Sequence, residues 1–220
     1  MQRYILYQAY GTIDHIDGDL LYCDTDTYIT RPVENLFQEI EQGTFVMHEY
    51  EGILDKSVNP DFYKWEKFLE AATIEYNGKK VNFSKQLGMW NAGSIGMNKQ
   101  SKYLLEDTLA LTDTVYQQFP KHIAEQFAFS YCFQKAGKVT SAGDQIFHYW
   151  NLKEFRQLLR QFFVKNEEES IPNLVKLVHN LDAAAIQKSK MQFEQLPFYK
   201  KWMQFLFGKR WNIKQYENKI

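Results

Sequence analysis

At 220 residues, with 45% hydrophobic and 16% aromatic side chains, the chain is long enough for one domain with its own core plus an appendage, and too apolar to be disordered. No apolar run approaches the roughly 18 residues that span a bilayer, and the start MQRYILYQAY lacks the basic, apolar and small-residue sections of a secretory signal. The net charge of −1 hides an asymmetry, because residues 154–220 hold 12 Lys+Arg against 7 Asp+Glu while residues 1–153 hold 14 against 20; nucleic acid is a poor partner for an acidic front with no broad basic face.

Tyr4, Ile5, Leu6 and Ala9 share one side of a short predicted helix, a polar turn covers 14–19, and Leu20, Leu21, Tyr22 and Cys23 read as a buried strand ending in carboxylates. Pro32 suits a first helical turn, Val33, Leu36, Phe37 and Ile40 line one face, and Gly43 suits a stop, which predicts a helix over 32–42. Residues 44–47 form a short apolar strand, and aromatics recur at helical spacing over 61–69. ATIEYNGKKVNFS alternates about Asn77-Gly78, a dipeptide suited to a two-residue turn with positive φ, and predicts a β-hairpin standing off the main sheet. In MWNAGSIGM, the small residues Ala92, Gly93, Ser94 and Gly96 allow backbone or ligand to approach a strand closely.

Helices are predicted over about 101–118 and 121–136, strands in KVTSA and DQIFHYW, and helices from Leu152 onward with a break at 167–172. This gives an α/β domain over 1–153 and a helical basic and aromatic extension over 154–220. Cys23 and Cys132 have no metal-type spacing, Cys23 reads as a small buried thiol in an apolar strand, and a reducing cytoplasm fits. His15, His48, His122 and His179 read as structural.

The chemistry-bearing signal is LLYCDTDTYI. Asp24 and Asp26 stand two apart at the end of a strand, where a turn lets both carboxylates reach one point. Two hard carboxylates suit Mg²⁺ or Mn²⁺, whose remaining positions substrate phosphates commonly fill. A D-x-D triplet alone is common in solvated turns; its place between an apolar strand and a Pro-started helix sets this one apart.

GDLLYCDTDTYITRPVENLF resembles the signature segment of GT-A-type glycosyltransferases. WNAGSIGM is similar to a later strand of that family, AEQFAFSYCF to its acidic-Gln helix, and HYWNLK to its His-containing closing motif, in family order across residues 1–153. The resemblance implies a partial GT-A fold with a mixed sheet flanked by helices, and transfer of a sugar from a nucleotide-diphosphate donor, UDP first, to a hydroxyl of a glycan or glycolipid. It implies Asp24 as a metal or ribose contact, Asp26 and His148 as metal ligands, and Asn91 and Gly93 against the donor. Glu125 and Gln126 would face donor sugar or acceptor, and Lys153 a phosphate. Glu49, after a short strand, is a candidate general base should the reaction invert.

The chain departs from that family at its start, where only 19 residues precede the D-x-D strand and no Gly-rich phosphate turn appears. An exposed edge and self-association, or a partner chain supplying strands, are therefore expected, and a non-catalytic remnant of the fold is the alternative reading. A phosphatase of the haloacid-dehalogenase type expects Thr or Val where Tyr28 stands and a later acidic pair that Gly143-Asp144 does not provide. The tail segment PFYKKWMQFLFGKRW, residues 197–211, sets aromatics among bases; it is expected either to cover the domain or to lie at the inner face of a membrane.

Overall fold

The computed structural model describes residues 16–54, 60–178 and 180–219; the helix expected at Tyr4 to Ala9, with His15 and His179, lies outside the described residues. Two compact units divide between His148 and Tyr149.

The first unit runs β1 (Leu20–Cys23), β2 (Thr27–Ile29), α1 (Glu34–Glu41), β3 (Phe45–Met47), β4 (Tyr50–Ile53), α2 (Pro60–Ala71), β5 (Glu75–Tyr76), β6 (Lys79–Lys80), β7 (Gly88–Trp90), β8 (Ser94–Met97), α3 (Leu104–Gln118), α4 (Ala124–Ala136), β9 (Val139–Ser141) and β10 (Ile146–His148). It is α/β. Its main sheet has the order β1-β8-β3-β9, with β8 antiparallel to both neighbours and β9 parallel to β3.

The sequence explains why β3 and β8 are central. Both are buried at every position, and a strand covered on both faces needs a continuous apolar or small-residue run rather than alternation. Phe45, Met47, Ile95 and Met97 pack with Leu104, Leu105, Phe129 and Phe133 of α3 and α4. Val46, pointing the other way, packs with Leu36 and Ile40 of α1. Gly96 permits this second layer: a Cβ there would sit 2.7 Å from Ile40 Cδ1 and 2.9 Å from Val46 Cβ. The close approach foreseen for this segment is thus made at Gly96 by core side chains.

β1 differs from expectation, being half-buried at all four positions. Among the described residues it is an edge strand of the sheet, with β8 as its strand partner. Cys23, expected to be buried, is correspondingly half-buried, whereas Cys132 is buried.

The Asn77-Gly78 hairpin forms as predicted, with φ of 47° and 70°, and β5 and β6 make a two-stranded ribbon apart from the main sheet. Tyr76 anchors it in a cluster with Phe62, Trp65, Phe127 and Tyr131. α3 starts later than expected because Asn98 Oδ1 accepts from Ser101 N at 3.0 Å and closes a separate 3-10 turn first.

α4 carries a polar stripe inside its apolar surround. Ser130 Oγ accepts from Trp90 N at 3.0 Å, while Gln134 accepts from Gly88 N at 3.0 Å and donates to Gly88 O at 2.7 Å. These side chains satisfy β7 backbone groups as a neighbouring strand would.

The second unit contains α5 (Phe155–Lys165), α6 (Ile171–Val178), α7 (Ala183–Glu194), α8 (Phe198–Leu206) and a 3-10 turn over Ile213–Lys219. α5 buries Phe155, Leu158 and Phe162, one face of a helix, and Asp182 caps α7 through Ala185 N at 2.9 Å. Lys190 ties α7 to the start of α5 through Glu154 at 2.9 Å and Asn151 O at 2.8 Å. No helix of the described residues is long and apolar enough to cross a membrane.

Candidate metal centre

The link between β1 and β2 is a tight turn. Thr27 N donates to Asp24 O at 3.1 Å and Thr27 Oγ1 to the same oxygen at 2.7 Å, which places Asp24 at the first and Asp26 at the third position of a β-turn. Asp24 N donates to Gly93 O at 2.9 Å, and Tyr22 OH donates to Asp24 Oδ1 at 2.9 Å. The chain turns at the strand end as the spacing requires.

His148 arrives from 122 positions away. β10 pairs antiparallel with β2 in the register His148↔Thr27, so the imidazole is set beside the turn. Its Nε2 lies 3.1 Å from Asp26 Oδ1 and 3.8 Å from Asp24 Oδ2, and one ligand atom from each of the three residues falls within 4.8 Å of the others. Gly93 makes room for the ring: a Cβ there would lie 2.1 Å from His148 Nδ1 and 2.7 Å from Cγ.

Asn91 sits behind the imidazole, its Oδ1 2.9 Å from His148 Nδ1 and 2.9 Å from Gly93 N, which donates to it. With Oδ1 as acceptor, Nδ1 carries the ring proton. Burial, the largest influence, holds His148 below its ordinary pKa, and the neighbouring Asp26 carboxylate pulls upward without overcoming it. A neutral ring protonated on Nδ1 can offer the Nε2 lone pair to a cation beside two carboxylate oxygens. That set of donors suits a divalent cation, and the remote ring nitrogen engaged by a fixed acceptor is the usual support of a metal-bound histidine. Asp24, Asp26 and His148 can therefore hold a metal ion. Burial also raises the Asp24 pKa, against the hydrogen bond from Tyr22 and with the charge of Asp26.

His48 keeps its structural role: Nε2 donates to Ile146 O at 2.9 Å and its ring meets His148 edge-on, centroids 5.3 Å apart. Burial lowers its pKa.

Glu125 and Gln126 open α4. Glu125 is 8% exposed, so it does not belong to a solvated helix face. Burial, followed by the nearby Asp24 charge, raises its pKa from 4.5 to about 7. Between those values the folded protein holds a proton that the unfolded chain has released. Stability of the metal-free protein therefore falls as pH rises from 4.5 to about 7 and levels off above, by on the order of 3 kcal/mol in full. Glu125→Gln is expected to remove this slope and to be the more stable protein at pH 8, as urea unfolding across the range will show.

Gln126 Nε2 donates to Glu51 Oε2 at 2.7 Å, and Asn91 Nδ2 donates to Glu51 Oε1 at 2.9 Å. Sequence reading singled out Glu49, whose side chain is exposed just before β4; Glu51, at the bulge where β4 pairs with β7, makes these contacts instead. Asp144 is exposed in the turn before β10. Lys153 is exposed in the turn leading into α5 and belongs to the second unit.

No family model matches the chain, and no curated protein or solved structure shows significant similarity to it. What the site can do follows from its own residues.

Proposed function

We propose that this chain is a metal-dependent glycosyltransferase of GT-A type, transferring a sugar from a nucleotide-diphosphate donor, UDP-linked first, to a hydroxyl of a glycan or glycolipid. The observation that supports this most strongly is the corner of Asp24, Asp26 and His148. Its nitrogen ligand favours Mn²⁺ over Mg²⁺ among the oxygen-seeking cations. A bound cation would neutralise the departing diphosphate. Asn91 and Gly93 hold the third ligand in place. Glu125, with a pKa near 7, has the basicity suited to taking a proton from an acceptor hydroxyl at neutral pH. Gln126, fixed by Glu51, presents a positioned amide one residue on.

The test is calorimetric titration with UDP, with and without Mn²⁺, on the wild type and Asp26→Ala. Binding that needs both the ion and Asp26 supports the donor site; no binding under either condition favours the non-catalytic or partner-dependent remnant.

The acceptor side of the proposal includes an anionic lipid surface reached by α8. Phe198, Trp202 and Phe205 are 83%, 56% and 60% exposed, and 197–211 carries Lys200, Lys201, Lys209 and Arg210 with no acidic residue. Aromatics at headgroup depth beside bases are what such a surface binds. Sedimentation with phosphatidylglycerol vesicles, but not phosphatidylcholine vesicles, is expected, each base contributing about 1 kcal/mol. Trp202→Ala with Phe205→Ala should abolish it; equal sedimentation with both vesicle types, or salt-insensitive self-association without lipid, would overturn it.

A further inference from the structure

The amide of Asn91 has two ends alike in shape and opposite in polarity. Three neighbours meet it. Glu51 Oε1, at 2.9 Å from Nδ2, only accepts. Gly93 N, at 2.9 Å from Oδ1, only donates. His148 Nδ1, also 2.9 Å from Oδ1, can do either. The first two fix the amide and the third follows. Were Asn91 reversed, a carboxylate oxygen would face a carbonyl oxygen and two N–H groups would face each other, each group losing its partner at the cost of an unsatisfied buried polar atom.

We infer that Glu51 is a positioning residue that sets the tautomer of His148: by holding Asn91 with Oδ1 toward Nδ1, it keeps the ring proton there and leaves Nε2 free to bind a cation with Asp24 and Asp26. With the opposite polarity, Nε2 would carry the proton, donate it to Asp26 Oδ1 at 3.1 Å, and close the corner with a hydrogen bond in place of a cation. Glu51 is half-buried, and its two carboxylate oxygens accept from Asn91 and Gln126. It acts through Asn91. Gln126 donates to its second oxygen at 2.7 Å, which ties down the other end of the carboxylate.

The inference rests on the metal reading proposed above, and its test separates the two. Nitrogen-15 NMR of the imidazole in the metal-free protein reports which ring nitrogen is protonated, and Mn²⁺ titration followed by the EPR signal of the free ion reports affinity. The wild type should show Nδ1–H. Glu51→Lys replaces the acceptor by a charged donor, whose hydrogen bond to the amide oxygen outweighs the neutral one from Gly93 N; Asn91 turns round, and Nε2–H should result with Mn²⁺ binding weakened about 10- to 100-fold, the range for lost support of a metal ligand.

Adding Asn91→Asp to Glu51→Lys supplies acceptors on both sides and should restore Nδ1–H with most of the affinity; a purely structural role for Glu51 does not predict that recovery. Glu51→Gln, which keeps an oxygen for Asn91 while Gln126 turns its own, should behave as wild type. If Glu51→Lys does not fold, Glu51→Arg, which also places a charged donor there, is read in its place with the same expectation. A single Nδ1–H species with undiminished Mn²⁺ binding in Glu51→Lys or Glu51→Arg overturns the assignment. If the wild type fails to bind Mn²⁺, the metal reading falls, while the NMR result still decides what Glu51 does.

Discussion

Asp26→Ala is expected to lose the whole of the Mn²⁺-dependent stabilisation. For an ion that binds only the folded protein, a concentration 100 times Kd raises the unfolding free energy by about 2.7 kcal/mol, and thermal or urea unfolding reads this directly. The variant removes the ligand oxygen closest to His148 Nε2, so two donors remain where three converged. Its metal-free stability should change by no more than about 1 kcal/mol, because a turn carboxylate that is still 20% exposed is not a core group. That separation is the informative part. A variant that loses the ion's effect while keeping its own stability identifies Asp26 as a ligand; one that keeps the wild-type shift shows that Mn²⁺ binds elsewhere. His148→Ala should lose the same shift at a larger cost to the metal-free fold, since the ring is 8% exposed and wedged between Gly93 and His48.

Gly93→Ala is expected to damage the same centre from behind. The new methyl would meet Nδ1 at 2.1 Å and Cγ at 2.7 Å, contacts that cannot be relieved at the tip of a flexible chain because they fall on the root of a rigid ring. Either the imidazole swings away from the β-turn or β8 retreats from β1. Overpacking of this kind costs about 1–3 kcal/mol, and the displaced ring should abolish Mn²⁺ binding as well. Gly18→Ala is the control: a Cβ there meets nothing within 4 Å, so it should leave stability and binding unchanged. Wild-type Mn²⁺ affinity in Gly93→Ala would show that the ring tolerates the shift and that Gly93 serves β8 alone.

Most elements of the first unit were legible because local signals agreed. Asn77-Gly78 between alternating residues left little choice but a two-residue turn, and Gly43, at φ of 85°, ends α1 where a stop was expected. β3 and β8 read as short apolar runs because both of their faces are covered. The half-burial of β1 was not legible, since edge or centre is decided by which strands pair, and pairing is a long-range property.

The site divides in the same way. Asp24 and Asp26 declare themselves through spacing at the end of a strand. His148 carries no local signal, flanked as it is by Phe147, Tyr149 and Trp150; the β2–β10 register gives it a place, and in the sequence only the family resemblance pointed there. In the sequence the family resemblance alone points to Glu125, and its burial shows only once α4 turns it inward. Glu51 is one carboxylate among several in an ordinary stretch, and its importance lies in the two amides that come to it from other elements.

The polar stripe on α4 has a mechanical consequence. Gly88 and Trp90 offer their backbone groups at fixed intervals, and Gln134 and Ser130 answer them with teeth on the helix four residues apart, the next tooth being Gln126. Helix and strand are thus meshed like rack and pinion: α4 can neither rotate nor slide without stripping those contacts. The helix start therefore keeps a fixed phase against the turn that bears Asp24 and Asp26, and a push on Gln126 is delivered to Glu51 and Asn91 without slack.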